Sequence, residues 1–216
     1  LMIAQNASEG NHMHANGISM ELYGKGYVLG PDAGIGLYLY SGLDYAEYYS
    51  QFPSHNTVCV DGISSYPVMK SNHSFDLLSC FPASSAAAAA KDKFPSVTYS
   101  DVYFREPESR ADQTRMMSIV TTGPDTGYYV DVFRSRKERG GDKMHDYFYH
   151  NLGQSMTLTA VDGTDMNLQP TEELAFAGAD LYAYSYLYDN VNSKACISLR
   201  IHVNITRKRN ALQRTF

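Results

Sequence analysis

Ser96–Phe104, SVTYSDVYF, decides the fold class. β-Branched and aromatic residues alternate there with small polar ones, the period of two expected of a strand with one face on a core. Met156–Ala160 (MTLTA) repeats the pattern. Working outward, further short strands are expected at 18–23, 27–29, 57–60, 76–81, 115–122, 128–135, 145–150, 181–188 and 195–204. Turn dipeptides and tripeptides punctuate them: Gly30-Pro31-Asp32, Asp61-Gly62, Gly123-Pro124-Asp125, Gly140-Gly141-Asp142 and Asp162-Gly163. Many short strands with a turn signal every ten or so residues predict an all-β, antiparallel β-sandwich, with a barrel as the related alternative.

The composition excludes several classes. With 216 residues the chain is long enough to bury a full core without disulfides. Its 44% hydrophobic and 19% charged residues exclude disorder as the main state. No apolar run approaches the ~18 residues of a membrane-spanning helix, and residues 1–30 lack the basic-then-apolar pattern of a signal peptide. A net charge of −5 argues against a nucleic-acid partner. Cys59, Cys80 and Cys196 are widely spaced and odd in number, spelling neither a zinc knuckle nor a disulfide framework. Residues 1–11 read as the end of a linker, 12–206 as the β-domain and 207–216, from Arg207-Lys208-Arg209 onward, as a basic tail. Ser84–Ala90 (SSAAAAA) is low-complexity and carries no chemistry.

Residues able to do chemistry concentrate between 12 and 61. His12 and His14 are two apart, so a strand would put both imidazoles on one face. Asp32 sits in a glycine turn, Gly30-Pro31-Asp32-Ala33-Gly34. Tyr38, Tyr40, Tyr45, Tyr48 and Tyr49 form a dense run, in which 38 and 40 can also simply pack on one strand face. Ser54-His55-Asn56-Thr57 then leads into Val-Cys-Val-Asp61-Gly62. Two histidines and an aspartate with a fourth position open suit zinc. Scattered histidines are more commonly surface or core residues, and that reading stays open beside the metal. The spacing departs from the His-x-carboxylate pair that opens a 2-His-1-carboxylate triad, which disfavours a cupin-type metal enzyme. Elsewhere, His145 and His150 flank an aromatic strand and read as core residues, His73 as a loop residue, and Arg134–Arg139 as a solvated hairpin end.

The runs His12-x-His14-Ala-Asn-Gly, Gly-x-Asp32-x-Gly and His55-Asn56-Thr57-Val-x-Val-Asp-Gly together resemble the heparinase II/III-like polysaccharide lyases. The strand YYVDVFR, 128–134, resembles one of that family's strands less specifically. The resemblance covers residues 12–62 closely and 95–160 loosely. It implies a helical toroid followed by antiparallel β-domains, of which this chain would be the β part. The activity implied is β-elimination on a uronic-acid glycan such as a glycosaminoglycan or alginate, in the periplasm or secreted from a bacterium. His14, Asp32 and His55 match the family's structural zinc ligands, and His12 a histidine beside the metal facing the cleft. The family's acid/base or substrate-binding tyrosine aligns at Ser41, which makes Tyr40 the first candidate, Tyr45 the second and Tyr38 the third. A non-catalytic carbohydrate-binding or scaffolding β-domain with the same metal is the alternative. Without the helical half, a tyrosine-rich face would be open to self-association.

Overall fold

The structure is a computed structural model that describes residues 1–6, 14–32, 34, 45–63, 73–82, 96–140, 144–151 and 155–166, and the backbone of 197–202. Among the described residues ten strands follow in order: β1 Met2–Asn6, β2 Ser19–Gly24, β3 Tyr27–Gly30, β4 Val58–Val60, β5 Asp76–Phe81, β6 Val97–Arg105, β7 Asp112–Gly123, β8 Thr126–Arg136, β9 His145–Asn151 and β10 Ile197–His202. They make three sheets, ordered β1-β2-β3, β10-β9-β4 and β5-β6-β7-β8. Every pairing is antiparallel.

The sheets form the two layers of a sandwich, and the core residues say how they face one another. Met20 and Leu22 of β2 pack on Met117 of β7, with Leu29, Tyr129 and Tyr149 around them. Val58 and Val60 of β4 pack on Ala111, against Phe133 and Tyr147. Ile18 meets Val102 and Phe104 of β6. The two three-stranded sheets therefore lie on the four-stranded one. Its long strands alternate as the sandwich requires: Gln113, Arg115 and Met117 point inward from β7, and Val102 and Phe104 from β6. The β2–β3 hairpin turns through Lys25 and Gly26, both at positive φ (52° and 83°), the tight turn whose twist matches its strands.

Three expectations need correction. Residues 2–6 are not linker: Met2–Asn6 pair with Tyr23–Ser19 and place Ile3 beside the core, because one further strand completes the apolar face of β2. Met156–Ala160 forms no full strand. Among the described residues it makes one bridge, Thr159 with Asp165, closed around Asp162-Gly163. His73, read as a loop residue, is buried, edge-on to Phe104 at 6.4 Å. The strand expected at 181–188, the 83–95 segment and the 207–216 tail lie outside the described residues.

One buried cation ties the layers together. The Arg115 side chain is fully buried on β7. Its Nη1 donates to the carbonyls of Ile18 (2.8 Å) and Asn56 (2.6 Å), while Nε and Nη2 fork onto Asp131 at 3.0 and 2.7 Å. The rings of Phe133 and Tyr147 flank the guanidinium at 5.2 and 5.8 Å. Tyr147 also donates to Asp131 at 2.5 Å, and burial pushes its phenol well above the ordinary range. The charge is therefore paired and its donors are spent on acceptors from both layers, the condition for tolerating a guanidinium in a core. Arg115→Met strands Asp131 and two carbonyls, and is expected to cost about 3–5 kcal/mol in urea unfolding. A loss under about 1 kcal/mol would contradict this reading.

Candidate functional site

The site is assembled by the segments that enter β2 and β4 and by the turn that leaves β3. Phe52–Ser54 is a single 3₁₀ turn with Pro53 in its first positions. Ser54 closes it by donating to the carbonyls of Tyr49 and Gln51, each at 3.0 Å. His55 leaves this turn extended, with its N–H on the Phe52 carbonyl at 3.0 Å, and its side chain is buried. Its Nδ1 lies 2.9 and 2.8 Å from the two oxygens of Asp32. Its Nε2 is also buried and has no hydrogen-bond partner among the described residues.

Asp32 is held from three sides. Besides His55, Ser19 donates to Oδ2 at 3.0 Å and the Gly34 N–H to Oδ1 at 3.1 Å. Burial alone would raise its carboxyl. The charge and hydrogen bond of His55, then Gly34 and Ser19, outweigh that and bring it down to about 2. Asp32 is thus an anion throughout the physiological range.

His14 stands beside this pair, its ring centroid 5.3 Å from that of His55. The Ala15 N–H donates to the Ser50 carbonyl at 2.7 Å, which docks the His14 segment on the turn Tyr45–Tyr49. Tyr45 meets the His14 ring edge-on at 5.3 Å. Burial first, then the neighbouring His55, push the His14 imidazole down to about 4, against a smaller opposing pull from Asp32. The cluster is therefore a neutral imidazole, a second imidazole and a carboxylate, with a phenol ring at its margin.

The four candidates that the structure describes, His14, Asp32, His55 and Tyr45, come together. His14 does so from the connection before β2 rather than from a strand, so the shared strand face expected for His12 and His14 is not how His14 is placed. His12, Tyr38, Tyr40 and Ser41 lie outside the described residues. Among the described residues no three His, Cys, Asp or Glu side chains are spaced as a formed metal centre.

The rest of the His55-to-Gly62 block is structural in a way its sequence did not announce. Asn56 and Thr57 are fully buried, and Val58 and Val60 fill the core. Asp61, at φ 56°, accepts from the Met144 N–H and pairs with Lys137 at 2.6 Å. His150 is a core residue as expected, with Nε2 2.9 Å from the Pro53 carbonyl, so it braces the turn that carries His55. Sequence reasoning missed Arg115 and Asn56. A lone arginine at an inward position of a strand was the available signal for the first.

Between pH 6.5 and about 4 the unfolded chain binds a proton at residue 14 that the folded chain refuses, so stability rises with pH across that window. Asp32 acts in the same direction lower down: its contribution is present above pH 3.8 and lost as pH falls toward 2. His73 and His150, both depressed by burial, add to the upper slope. Thermal melts of metal-free His14→Gln between pH 7 and 4.5 are expected to lose about 1–2 kcal/mol of the wild-type pH dependence, after discounting for partial exposure. An unchanged slope would contradict the buried neutral imidazole.

Comparison with known proteins agrees with this architecture. Residues 2–108 match the family described as heparinase II/III-like, C-terminal. An endo-acting ulvan lyase of Formosa agariphila is 30% identical over 168 residues, which are 74% of this chain and 20% of that protein. The chain therefore spans about a fifth of that relative's length. Residues 2–108 thus bear out the resemblance to the heparinase II/III-like family, C-terminal part, read from the sequence.

Proposed function

We propose that this chain is the β-domain of a polysaccharide lyase that cleaves uronic-acid-containing glycans by β-elimination, and that it contributes a structural zinc site and part of the substrate cleft. The observation that carries the proposal is the convergence of His14, Asp32 and His55, with Tyr45 on the His14 ring. The heparinase II/III-like match over residues 2–108 and the ulvan lyase relative support the reaction class.

The donor set fits zinc by chemistry. Asp32 is ionised and His14 is neutral. These are the protonation states that imidazole and carboxylate ligands need. His14, Asp32 and His55 would hold the ion, which would cross-link the segments entering β2 and β4 and the turn after β3. It would pin the wall of the site and leave the proton transfers to the side chains.

β-Elimination on a uronate needs a base for the proton α to the carboxyl group, donors that take up charge as that proton leaves, and an acid for the departing glycosidic oxygen. Tyr45 is the described candidate for a phenol that moves a proton, and Tyr40 and His12 are further candidates from the sequence. His14, kept neutral by burial, orients Tyr45 through its ring edge without adding positive charge. A net charge of −5 is compatible with an anionic glycan, because the local field of a cleft governs steering. A polymeric substrate of this kind places the protein in the periplasm or outside the cell. Among the described residues no helix is long and apolar enough to cross a membrane.

Elemental analysis of the purified chain is expected to give one zinc per chain, lost in each of His14→Ala, Asp32→Ala and His55→Ala. With ulvan as probe, the enzyme that contains this domain is expected to release a product whose new double bond, conjugated to the uronate carboxylate, absorbs in the ultraviolet. Tyr45→Phe should slow that release by about 10²-fold or more. Saturated product, or protein without zinc in all preparations, would sink the proposal.

A further inference from the structure

We propose that Asn56 is the positioning residue of this site: its carboxamide holds the turn that presents Asp32 to His55. The residue following His55 is bonded to the residue preceding Asp32. Asn56 Nδ2 donates to the Pro31 carbonyl at 2.8 Å, and its other proton goes to the Met20 carbonyl at 3.0 Å. Its Oδ1 accepts the His150 N–H at 2.5 Å. The side chain is fully buried, so none of these bonds competes with water.

The arrangement demands an amide. Two carbonyls lie on one side and an N–H on the other, which fixes which atom is nitrogen. Aspartate keeps the acceptor but presents a carboxylate to two carbonyls, and alanine leaves all three groups unpaired. Asn56 therefore joins β2, the Asp32 turn and β9 at one point. Its own carbonyl is fixed by Arg115 at 2.6 Å, so the clamp is anchored to the opposite layer. The Asp32–His55 contact is held at both ends by a side chain whose own hydrogen bonds go to Pro31, Met20 and His150.

The proposal rests on the Asp32–His55 contact. Only its metal readout rests on the zinc reading above. Asn56→Asp is compared with Val60→Ala, a core truncation on the strand that follows Asn56, which leaves the clamp intact. Zinc affinity is measured by competition with a chromophoric chelator, and the His55–Asp32 bond by the NMR signal of the imidazole Nδ1 proton in metal-free protein. Asn56→Asp is expected to weaken zinc binding 10–100-fold, the usual effect of an outer partner, and to lose the Nδ1 signal. Val60→Ala, at matched loss of thermal stability, should keep both. Affinity within twofold of wild type in Asn56→Asp, or equal losses in the two variants, overturns the proposal. If the wild type binds no zinc, the metal reading fails and the NMR comparison alone decides. If Asn56→Asp does not fold, the wild-type side-chain amide signals of Asn56 take its place. Asp32→Asn must shift them, and unmoved signals overturn the proposal.

Discussion

A buried guanidinium is the constraint on which the rest of this domain depends. Arg115 sits where an apolar side chain would ordinarily fill the space between two sheets, and desolvating it is tolerable only with every strong donor directed at an acceptor. Asp131, on the neighbouring strand of the same sheet, supplies the charge. The opposite layer supplies the carbonyls of Ile18 and Asn56. Those two carbonyls lie in the segments that enter β2 and β4, and the same segments deliver His14 and His55. Hydrophobic contact can press two sheets together in several registers, but a forked cation with fixed acceptors admits few. The position of the candidate site thus follows from the way the core is closed.

The electrostatics of the site follow from the same packing. His55 is buried against Asp32, and the carboxylate keeps its charge because three donors converge on it. His14, close to His55 and partly desolvated, is kept neutral. A neutral imidazole, an ionised carboxylate and a second imidazole are the groups whose lone pairs the proposed zinc site would use. The residues around them, Ser19, Gly34, Asn56 and His150, do no chemistry themselves but decide where those lone pairs point.

Much of this could be read from the sequence, and the failures are instructive. Strands β2 through β9 lie where period-two alternation and turn dipeptides put them, because those signals are local. Strand β1 was missed because Met2–Asn6 is short and polar at its end, and its identity as a strand comes only from pairing with β2. The grouping of His14, Asp32 and His55 came from the resemblance rather than from spacing, since 23 residues separate Asp32 from His55 in the chain. The roles of Asn56 and Arg115 were invisible because each works through backbone groups that carry no signature in sequence. The Asn in His-Asn-Thr looked like part of the chemistry, whereas its bonds are to backbone groups of three other segments.

The central proposal is that His14, Asp32 and His55 would hold one cation, at a site whose wall is set by the core. Anomalous diffraction at the zinc edge, from crystals of this chain grown with zinc, tests it most directly. The account predicts a single strong peak bonded to a ring nitrogen of His14, a ring nitrogen of His55 and an oxygen of Asp32. A peak elsewhere, on His73 or His145 for example, or no peak beside an intact Asp32–His55 hydrogen bond, would contradict it.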